Sequence, residues 1–169
     1  MLIEFHDDPQ IWIQAQAQAE KEGRVCVVGG LISDPLGRVF VMRRVAGRKL
    51  FPGCWDIAGG HVEPGETLFD ALQREIREET GWKLRRVLGA MEPFDWKDDW
   101  GESRVREFDF VVEVDGDLTR AEIEKERFSE YRWVGPQDLE SLRENRDPED
   151  QVIYELVRQA LEFNRLTLL

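Results

Sequence analysis

Blocks of apolar residues alternate along the chain with polar segments that contain glycine and proline. Blocks rich in β-branched and aromatic residues predict strands, which lie at residues 24–33, 39–44, 55–58, 83–93, 104–115 and 131–134. Helical composition or periodicity predicts helices at residues 11–20, 67–80, 136–144 and 148–164. A turn that contains proline and glycine joins the first two strands and predicts that they form a hairpin.

The order of these elements limits the fold class. Strands come first, and one helix, further strands and two final helices follow. A uniform parallel winding would alternate single strands with single helices. The pattern therefore predicts an α/β protein, as an α/β/α or α+β sandwich with a mixed sheet. The length suits one domain, and we expect residues 1–169 to form it, with 1–24 as an N-terminal extension and 136–169 as C-terminal helices.

The helix predicted at residues 67–80 carries acidic residues on its apolar side. Its boundaries are indicated by a capping-box-like pair and a glycine, which are Thr67, Asp70 and Gly81. At about 100° per residue, the apolar residues form one arc, which contains Leu68, Phe69, Ala71, Leu72 and Ile76. Glu75 and Glu79 fall inside this arc, and Glu78 falls at its edge.

Two interpretations of these acids compete. A solvated, salt-bridged helix face would place them among polar residues, with Lys or Arg four positions later. Glu75 is instead followed four positions later by Glu79, a like charge. Carboxylates that face a protein interior shift their pKa or bind a cation. The pattern favours a metal site, and oxygen ligands of this kind suit Mg²⁺, with Mn²⁺ as a substitute.

Residues 60–82 match a longer pattern, G-x5-E-x7-R-E-U-x-E-E-x-G-U, where U is a bulky apolar residue. All seven fixed residue types are present at the required spacings. A chance match in a chain of this length has a probability on the order of one in a million. The stretch resembles the signature of the Nudix hydrolases. Residues 51–55 and 130–133 resemble the segments that precede and follow this signature in many members.

The resemblance implies a Nudix-type α/β/α sandwich in which the signature loop and helix pack against a mixed sheet. It also implies a Mg²⁺-dependent enzyme that cleaves the diphosphate linkage of a nucleoside diphosphate derivative or a nucleoside triphosphate. Water attacks phosphorus in this reaction, and the metal neutralises phosphate charge and lowers the pKa of the water. The expected partner is a small-molecule nucleotide.

The resemblance assigns roles to individual residues. The implied metal ligands are Glu75, Glu78, Glu79 and the backbone carbonyl of Gly59. Glu78 is alternatively the group that takes the proton of the water. Glu66 and Arg74 match the orienting pair of the signature, although Glu66 would also suit an ordinary helix N-terminus.

Residues outside the signature are expected to complete the site. Members often use one further glutamate as a ligand or base, and the candidates, in order of preference, are Glu126, Glu130 and Glu107. The candidates for phosphate binding are Arg43, Arg44 and Arg48, with Lys49 as a fourth. Trp96 and Trp100 could stack on a base or pack under their loop.

Two alternative functions occur in proteins related to this family. Isopentenyl diphosphate isomerase shares the fold and a degraded signature, but it needs a catalytic cysteine close to the glycine loop. Cys54 lies several residues before Gly59, and the signature here is intact. A non-catalytic nucleotide-sensing Nudix domain is the second alternative. Such regulators usually carry a DNA-binding segment and often lose glutamates.

Composition narrows the partners and the compartment. The formal net charge of −12 disfavours nucleic-acid polymers and anionic membranes. No apolar run approaches the roughly 20 residues needed to cross a membrane, and the N-terminus lacks the features of a signal peptide. Cys26 and Cys54 are expected to be free thiols, so we expect a cytoplasmic protein. The N-terminal segment could pack across a homodimer.

Overall fold

The computed structural model describes residues 8–97 and 103–167 in full and residues 2–3 as backbone. The elements in chain order are β1 (Leu2–Ile3), α1 (Pro9–Lys21), β2 (Val25–Ile32), β3 (Val39–Arg44), β4 (Trp55–Asp56), β5 (Ala58–His61), α2 (Leu68–Thr80), β6 (Lys83–Met91), β7 (Phe94–Lys97), β8 (Arg104–Asp115), β9 (Phe128–Val134), a 3₁₀ helix (Pro136–Arg143) and α3 (Val152–Thr167).

The strands form two sheets. The larger sheet has the order β1-β6-β8-β2-β5, and β7 also pairs with β8. Within it β2 runs parallel to β8, whereas β5 is antiparallel to β2 and β6 is antiparallel to β8. The smaller sheet has the order β4-β3-β9. The predicted α/β architecture with a mixed sheet is therefore confirmed.

The two faces of the large sheet cover two hydrophobic cores. Even-numbered residues of β2 and β8, such as Val28 and Phe110, pack with α1 and α2. Odd-numbered residues, such as Leu31 and Val111, pack with α3 and the 3₁₀ helix. This alternation follows from the two-residue repeat of a strand, in which successive side chains point to opposite faces. Helices on both sides of the sheet give the expected layered sandwich.

Helix α2 has the boundaries and the buried face that its sequence predicts. The Thr67 hydroxyl accepts a hydrogen bond from the Asp70 N–H, and the Asp70 carboxylate accepts one from the Thr67 N–H, which completes the capping box. Gly81 ends the helix in the left-handed conformation, with φ of 79°. Glu75 and Glu79 are buried together with the apolar residues of this face.

The predicted hairpin between the first two strands is wrong. β2 is occupied on both edges by β5 and β8, whereas β3 pairs with β4 and β9. In the described part of the chain, the bridge between Ser33 and Val39 is the pairing that joins them. The Asp34 carboxylate accepts hydrogen bonds from the Leu36 and Arg38 N–H groups, so the turn itself forms. Beyond this turn the strands separate into different sheets.

Several other elements differ from the prediction. Residues 94–97, expected in a loop, form β7 because alternating Phe94 and Trp96 suit a strand beside β8. The segment at residues 136–144 forms a 3₁₀ helix, as short helical pieces often do. α3 begins only at Val152, because the Asp150 carboxylate accepts a hydrogen bond from the Val152 N–H. Among the helices in the described ranges, none has the length and apolar character needed to span a bilayer.

Candidate functional site

Two glycines of β5 bring α2 against the sheet. A β-carbon on Gly59 would overlap the backbone oxygen of Val28 on the neighbouring strand. A β-carbon on Gly60 would overlap the carboxylate of Glu75. Because glycine has no side chain, the backbone of this strand and the acidic face of α2 can approach each other closely. The glycines therefore set the position of the buried acids.

Glu79 is the most deeply buried acid of α2, with 1% of its surface exposed. Its Oε2 accepts a hydrogen bond of 2.9 Å from the N–H of Gly59, and its Oε1 lies 3.5 Å from the Arg127 guanidinium. Burial raises the pKa of Glu79 well above its usual range, and the Gly59 N–H and Arg127 only partly oppose this shift. A cation bound beside Glu79 would therefore stabilise its ionised form.

Glu75 lies one helical turn earlier and is 6% exposed. Its Oε1 accepts a hydrogen bond of 2.7 Å from Arg74. Its Oε2 is buried and has no hydrogen-bond partner among the described residues. Burial raises the pKa of this carboxyl, against the opposing effect of Arg74. A buried oxygen without a partner is costly, and a bound cation would satisfy it.

Arg74 connects the loop to the acids of α2. Its guanidinium donates two hydrogen bonds of 2.8 Å to the Glu66 carboxylate and a third of 3.0 Å to the His61 carbonyl. This forked pairing is among the strongest that side chains form, and the hydrogen bonds from Arg74 lower the pKa of Glu66. Glu78 is half exposed and lies 3.5 Å from the same guanidinium. The structure therefore brings Glu66, Arg74, Glu75 and Glu78 into one network.

A cavity of about 760 Å³ opens beside this network. Its wall includes Gly59 and Gly60 of β5 and Arg127, which faces Glu79. Cationic residues of the segment after β3 line it as well, and these are Arg44, Arg48 and Lys49. β7 and β8 supply a wall of mixed composition, whose lining residues are Phe94, Asp95, Trp96, Lys97 and Glu107.

The arginines expected to bind phosphate have different surroundings. Arg44 lines the cavity and pairs with Asp56 at 3.2 Å. Arg48 also lines it, and burial and then the nearby cations of Arg44 and Arg127 lower its pKa. Arg43 is not part of the cavity wall. Its guanidinium binds the Gly53 carbonyl and the Glu144 carboxylate instead.

The additional acids are also placed differently from expectation. Glu126 is exposed, and its neighbour Arg127 turns towards Glu79 instead. Glu130 is exposed and lies 3.8 Å from Arg43, outside the cavity wall. Their positions do not support the preference for these two acids, because the sequence of a loop or of a strand end does not show which side chain turns inward. Of the three candidates, only Glu107 lines the cavity.

Sequence reasoning missed two charged groups of this region. Arg127 gave no local signal, because its contact with Glu79 joins distant segments. Asp109 is 1% exposed and lies two residues from Glu107 on β8, and both of its carboxylate oxygens lack a hydrogen-bond partner among the described residues. Two acids that alternate with the buried apolar residues of β8 were a usable signal. Trp96 donates a hydrogen bond of 2.7 Å to Glu107; Trp100 lies outside the described residues.

Burial raises the pKa of Glu107 to about 7 and that of Asp109 well above its usual range. An acid with a raised pKa stabilises the fold below its unfolded pKa, and this contribution is lost as pH rises through the folded pKa. We therefore expect the unfolding free energy to fall between about pH 4.5 and pH 7. Each carboxyl that loses its proton in this window lowers the unfolding free energy by up to about 1.4 kcal/mol per pH unit.

Urea unfolding of the wild type and Glu107→Gln across this pH window checks this expectation. The variant should show a shallower decline, because it loses one titrating group while the buried Glu75 and Glu79 still titrate. Glu113→Gln is the matched control, since Glu113 lies on the same strand but pairs with Arg86 and has a lowered pKa. Equal slopes for Glu107→Gln and the wild type would contradict the shift.

Comparison with known proteins identifies the class to which this fold and acidic loop-helix unit belong. A family model described as the NUDIX domain matches residues 23–157, which is most of the chain. The chain therefore belongs to the Nudix family, and it is a pyrophosphohydrolase of that family.

Individual relatives agree with this assignment. The nucleoside triphosphatase NudI of Escherichia coli K12 is 37% identical over 111 residues, which cover 61% of this chain and 77% of that protein. The crystal structure of a MutT NUDIX hydrolase from Burkholderia pseudomallei matches with a TM-score of 0.61 and 25% identity, over 82% of this chain and 96% of that one. The solution structure of the Escherichia coli ORF135 protein matches with a TM-score of 0.57 and 26% identity, over 84% and 93%.

Proposed function

We propose that the chain is a Mg²⁺-dependent hydrolase that cleaves the diphosphate linkage of a nucleoside triphosphate or a nucleoside diphosphate derivative. The observation that carries this proposal is the pair of buried acids on α2. Glu75 and Glu79 lie under the glycine strand, and an oxygen of Glu75 has no partner among the described residues. Such an arrangement is unfavourable on its own and becomes favourable with a cation.

The residues present fit a hard divalent cation. Glu75, Glu78, Glu79 and the Gly59 carbonyl would hold it, because Mg²⁺ prefers oxygen ligands and keeps several waters. The described residues contain no group of three acidic, histidine or cysteine side chains already converged on one point. Arg74 and Arg127 pair with the carboxylates in this state. Binding therefore requires Glu78, which is half exposed, to turn inward and Arg127 to yield its place beside Glu79.

The metal would neutralise phosphate charge and lower the pKa of the attacking water. The chain's own residues supply position and proton transfer. Arg74 fixes Glu75 through one hydrogen bond, and the Glu66 carboxylate orients the Arg74 guanidinium in turn. Glu78 is alternatively the group that takes the proton of the attacking water, since its carboxylate has access to solvent. Arg44 and Arg48 face the cavity, where they would bind the phosphate chain.

The preferred substrates are nucleoside triphosphates. The relative NudI is a nucleoside triphosphatase by name and shares 37% identity with this chain. The cavity of about 760 Å³ is also large enough for a nucleotide, since ligand cavities typically span about 300–1,000 Å³. A triphosphate would give a monophosphate and pyrophosphate.

The structure gives little support to the isomerase alternative. Cys54 is a free thiol, buried at 2% exposure, and its Sγ donates a hydrogen bond to the Asn145 carbonyl at 3.2 Å. Burial raises the pKa of this thiol, whereas a reactive cysteine needs a lowered pKa. The sensing alternative makes a different prediction, which is nucleotide binding without turnover.

Removal of divalent metal should abolish turnover, and Mg²⁺ should restore it. The decisive measurement is a panel of nucleoside triphosphates and diphosphate derivatives assayed with Mg²⁺ and with a chelator. Titration with Mn²⁺, followed by electron paramagnetic resonance, reports metal binding without reference to activity. We expect Glu75→Gln to weaken Mn²⁺ binding by at least about tenfold.

Glu162→Gln is the matched control, because Glu162 is an exposed acid of α3 that pairs with Arg158. It should bind Mn²⁺ as the wild type does. Equal Mn²⁺ affinity in Glu75→Gln and the wild type would refute the ligand assignment. Nucleotide binding with no turnover on any substrate would favour the sensing function.

A further inference from the structure

The cavity has two chemically different walls. One wall, from the segment after β3, carries Arg44, Arg48 and Lys49. The other wall, from β7 and β8, carries the aromatic rings of Phe94 and Trp96, the carboxyls of Asp95 and Glu107 and the ammonium group of Lys97. Phosphates suit the cationic wall. The aromatic and acidic wall suits a flat ring that donates hydrogen bonds, which is a property of nucleobases.

A second acid lies directly beside this wall. Asp109 shares its sheet face with Glu107, because the two residues are separated by one position on β8. Its carboxylate occupies the space beside Gly29 of β2, and a β-carbon on Gly29 would overlap it. Gly29 itself lines the cavity. The Asp109 carboxyl thus lies behind the cavity wall, in space beside Gly29 that only glycine leaves open.

The two acids form one unit. Neither Asp109 oxygen has a hydrogen-bond partner among the described residues, and the two side chains lie on the same face of β8, separated by one position. Burial raises the pKa of both carboxyls, and the charge of Glu107 raises that of Asp109 further. Each carboxyl has an oxygen that can accept a hydrogen bond.

A purely structural role accounts poorly for this unit. Well-packed apolar side chains usually stabilise a buried position at least as well as buried charged groups do. Trp96 donates a hydrogen bond of 2.7 Å to one oxygen of Glu107, so the carboxyl keeps a fixed orientation in the cavity wall. A fixed acid beside two aromatic rings resembles the polar groups that set ligand orientation in apolar cavities.

We propose that Glu107 and Asp109 select the nucleobase of the substrate by accepting a hydrogen bond from its exocyclic amino group. This inference rests on the proposed nucleotide hydrolysis. Glu107 contacts the base, and Asp109 is a positioning residue that acts through Glu107. A keto oxygen in place of the amino group would direct its lone pairs at a carboxylate oxygen. The enzyme therefore favours amino-bearing bases, such as cytosine and adenine, over their keto counterparts uracil and hypoxanthine.

The test uses nucleotide pairs that differ by an amino or a keto group at this position, which are CTP with UTP and ATP with ITP. The kcat/KM of the wild type should be at least about tenfold higher for the amino-bearing member of each pair. Glu107→Gln replaces an acceptor oxygen by an amide N–H₂ donor, so the preference should shift towards the keto member, mainly through KM. Asp109→Asn should lower the ratio to within about threefold of unity.

The control variant is Glu113→Gln, which changes an acid of the same strand that pairs with Arg86 and does not line the cavity. It should keep the wild-type ratio. Circular dichroism establishes that each variant is folded. If Asp109→Asn does not fold, Glu107→Gln carries the test alone.

Monophosphates separate this inference from the proposed function, because CMP, UMP, AMP and IMP contain no anhydride to hydrolyse. Calorimetric titration should show the same preference in Kd for the amino-bearing member of each pair. Absent triphosphate turnover together with a clear preference among monophosphates would overturn the hydrolase proposal and support base selection. Equal affinity for both members of each pair, or equal ratios in Glu107→Gln and the wild type, would overturn base selection.

Discussion

Glu79→Gln should lower kcat by at least about 100-fold, the effect of removing a key electrostatic group from an active site. Glu79 is 1% exposed, and its carboxylate is anchored by the Gly59 N–H. Glutamine keeps the size of the side chain and an oxygen that can accept this hydrogen bond, but it cannot supply the negative charge that holds a divalent cation. The loss should therefore appear in turnover and in metal binding, and much less in the fold.

Stability measurements separate these effects. Burial raises the pKa of Glu79, so a neutral amide should be tolerated at this position, and the thermal unfolding midpoint should not fall greatly. Arg127 loses its partner at 3.5 Å but remains partly solvated. Glu162→Gln serves again as the control for an acid outside the site. Near-normal kcat in Glu79→Gln would refute the role assigned to this carboxylate.

Gly59→Ala should destabilise the fold by about 1–3 kcal/mol, the usual cost of forcing an extra group into a packed region. The added methyl would overlap the backbone oxygen of Val28 on the neighbouring strand, and backbone yields less readily than a flexible side chain. The pairing of β2 with β5 must then widen, which displaces the Gly59 N–H from Glu79. We expect a lower unfolding midpoint and a large loss of kcat together.

Gly47→Ala is the matched control for this substitution. A β-carbon at Gly47 meets no atom of the described residues within 4 Å. It should change stability by no more than about 0.5 kcal/mol, as surface substitutions usually do. Urea unfolding and steady-state kinetics on both variants measure the contrast. Equal unfolding free energies for the two variants would show that β5 accommodates a side chain at Gly59.

The acids of α2 could be predicted because a helix places its residues by a local rule. Periodicity alone puts Glu75 and Glu79 inside the apolar arc, and the structure buries both. The face of the sheet on which a strand residue lies is harder to predict. Arg43 and Arg44 are neighbours on β3, and the register with β9 shifts between them. The sequence did not show which of the two would face the cavity, and it is Arg44 that does.

Contacts between distant segments could not be predicted at all. Arg127 reaches Glu79 across nearly fifty positions of sequence. The role of Gly29 depends on the parallel pairing that sets it opposite Asp109 on β8. No local pattern encodes such a register, which is decided when the whole sheet assembles. The same dependence explains why the predicted hairpin does not form, since β3 pairs with β4 and β9 instead.

Gly29 and Gly59 are register partners across β2 and β5. Gly29 adjoins Asp109, and Gly59 donates a hydrogen bond to Glu79 of α2. A single inter-strand gap thus governs two tasks, and widening it by a fraction of an ångström would disturb both at once. Catalysis and substrate choice are therefore coupled through this gap between β2 and β5. Variants selected for a new substrate should keep their kcat more readily when they change other residues of the cavity wall than when they change Gly29 or Gly59.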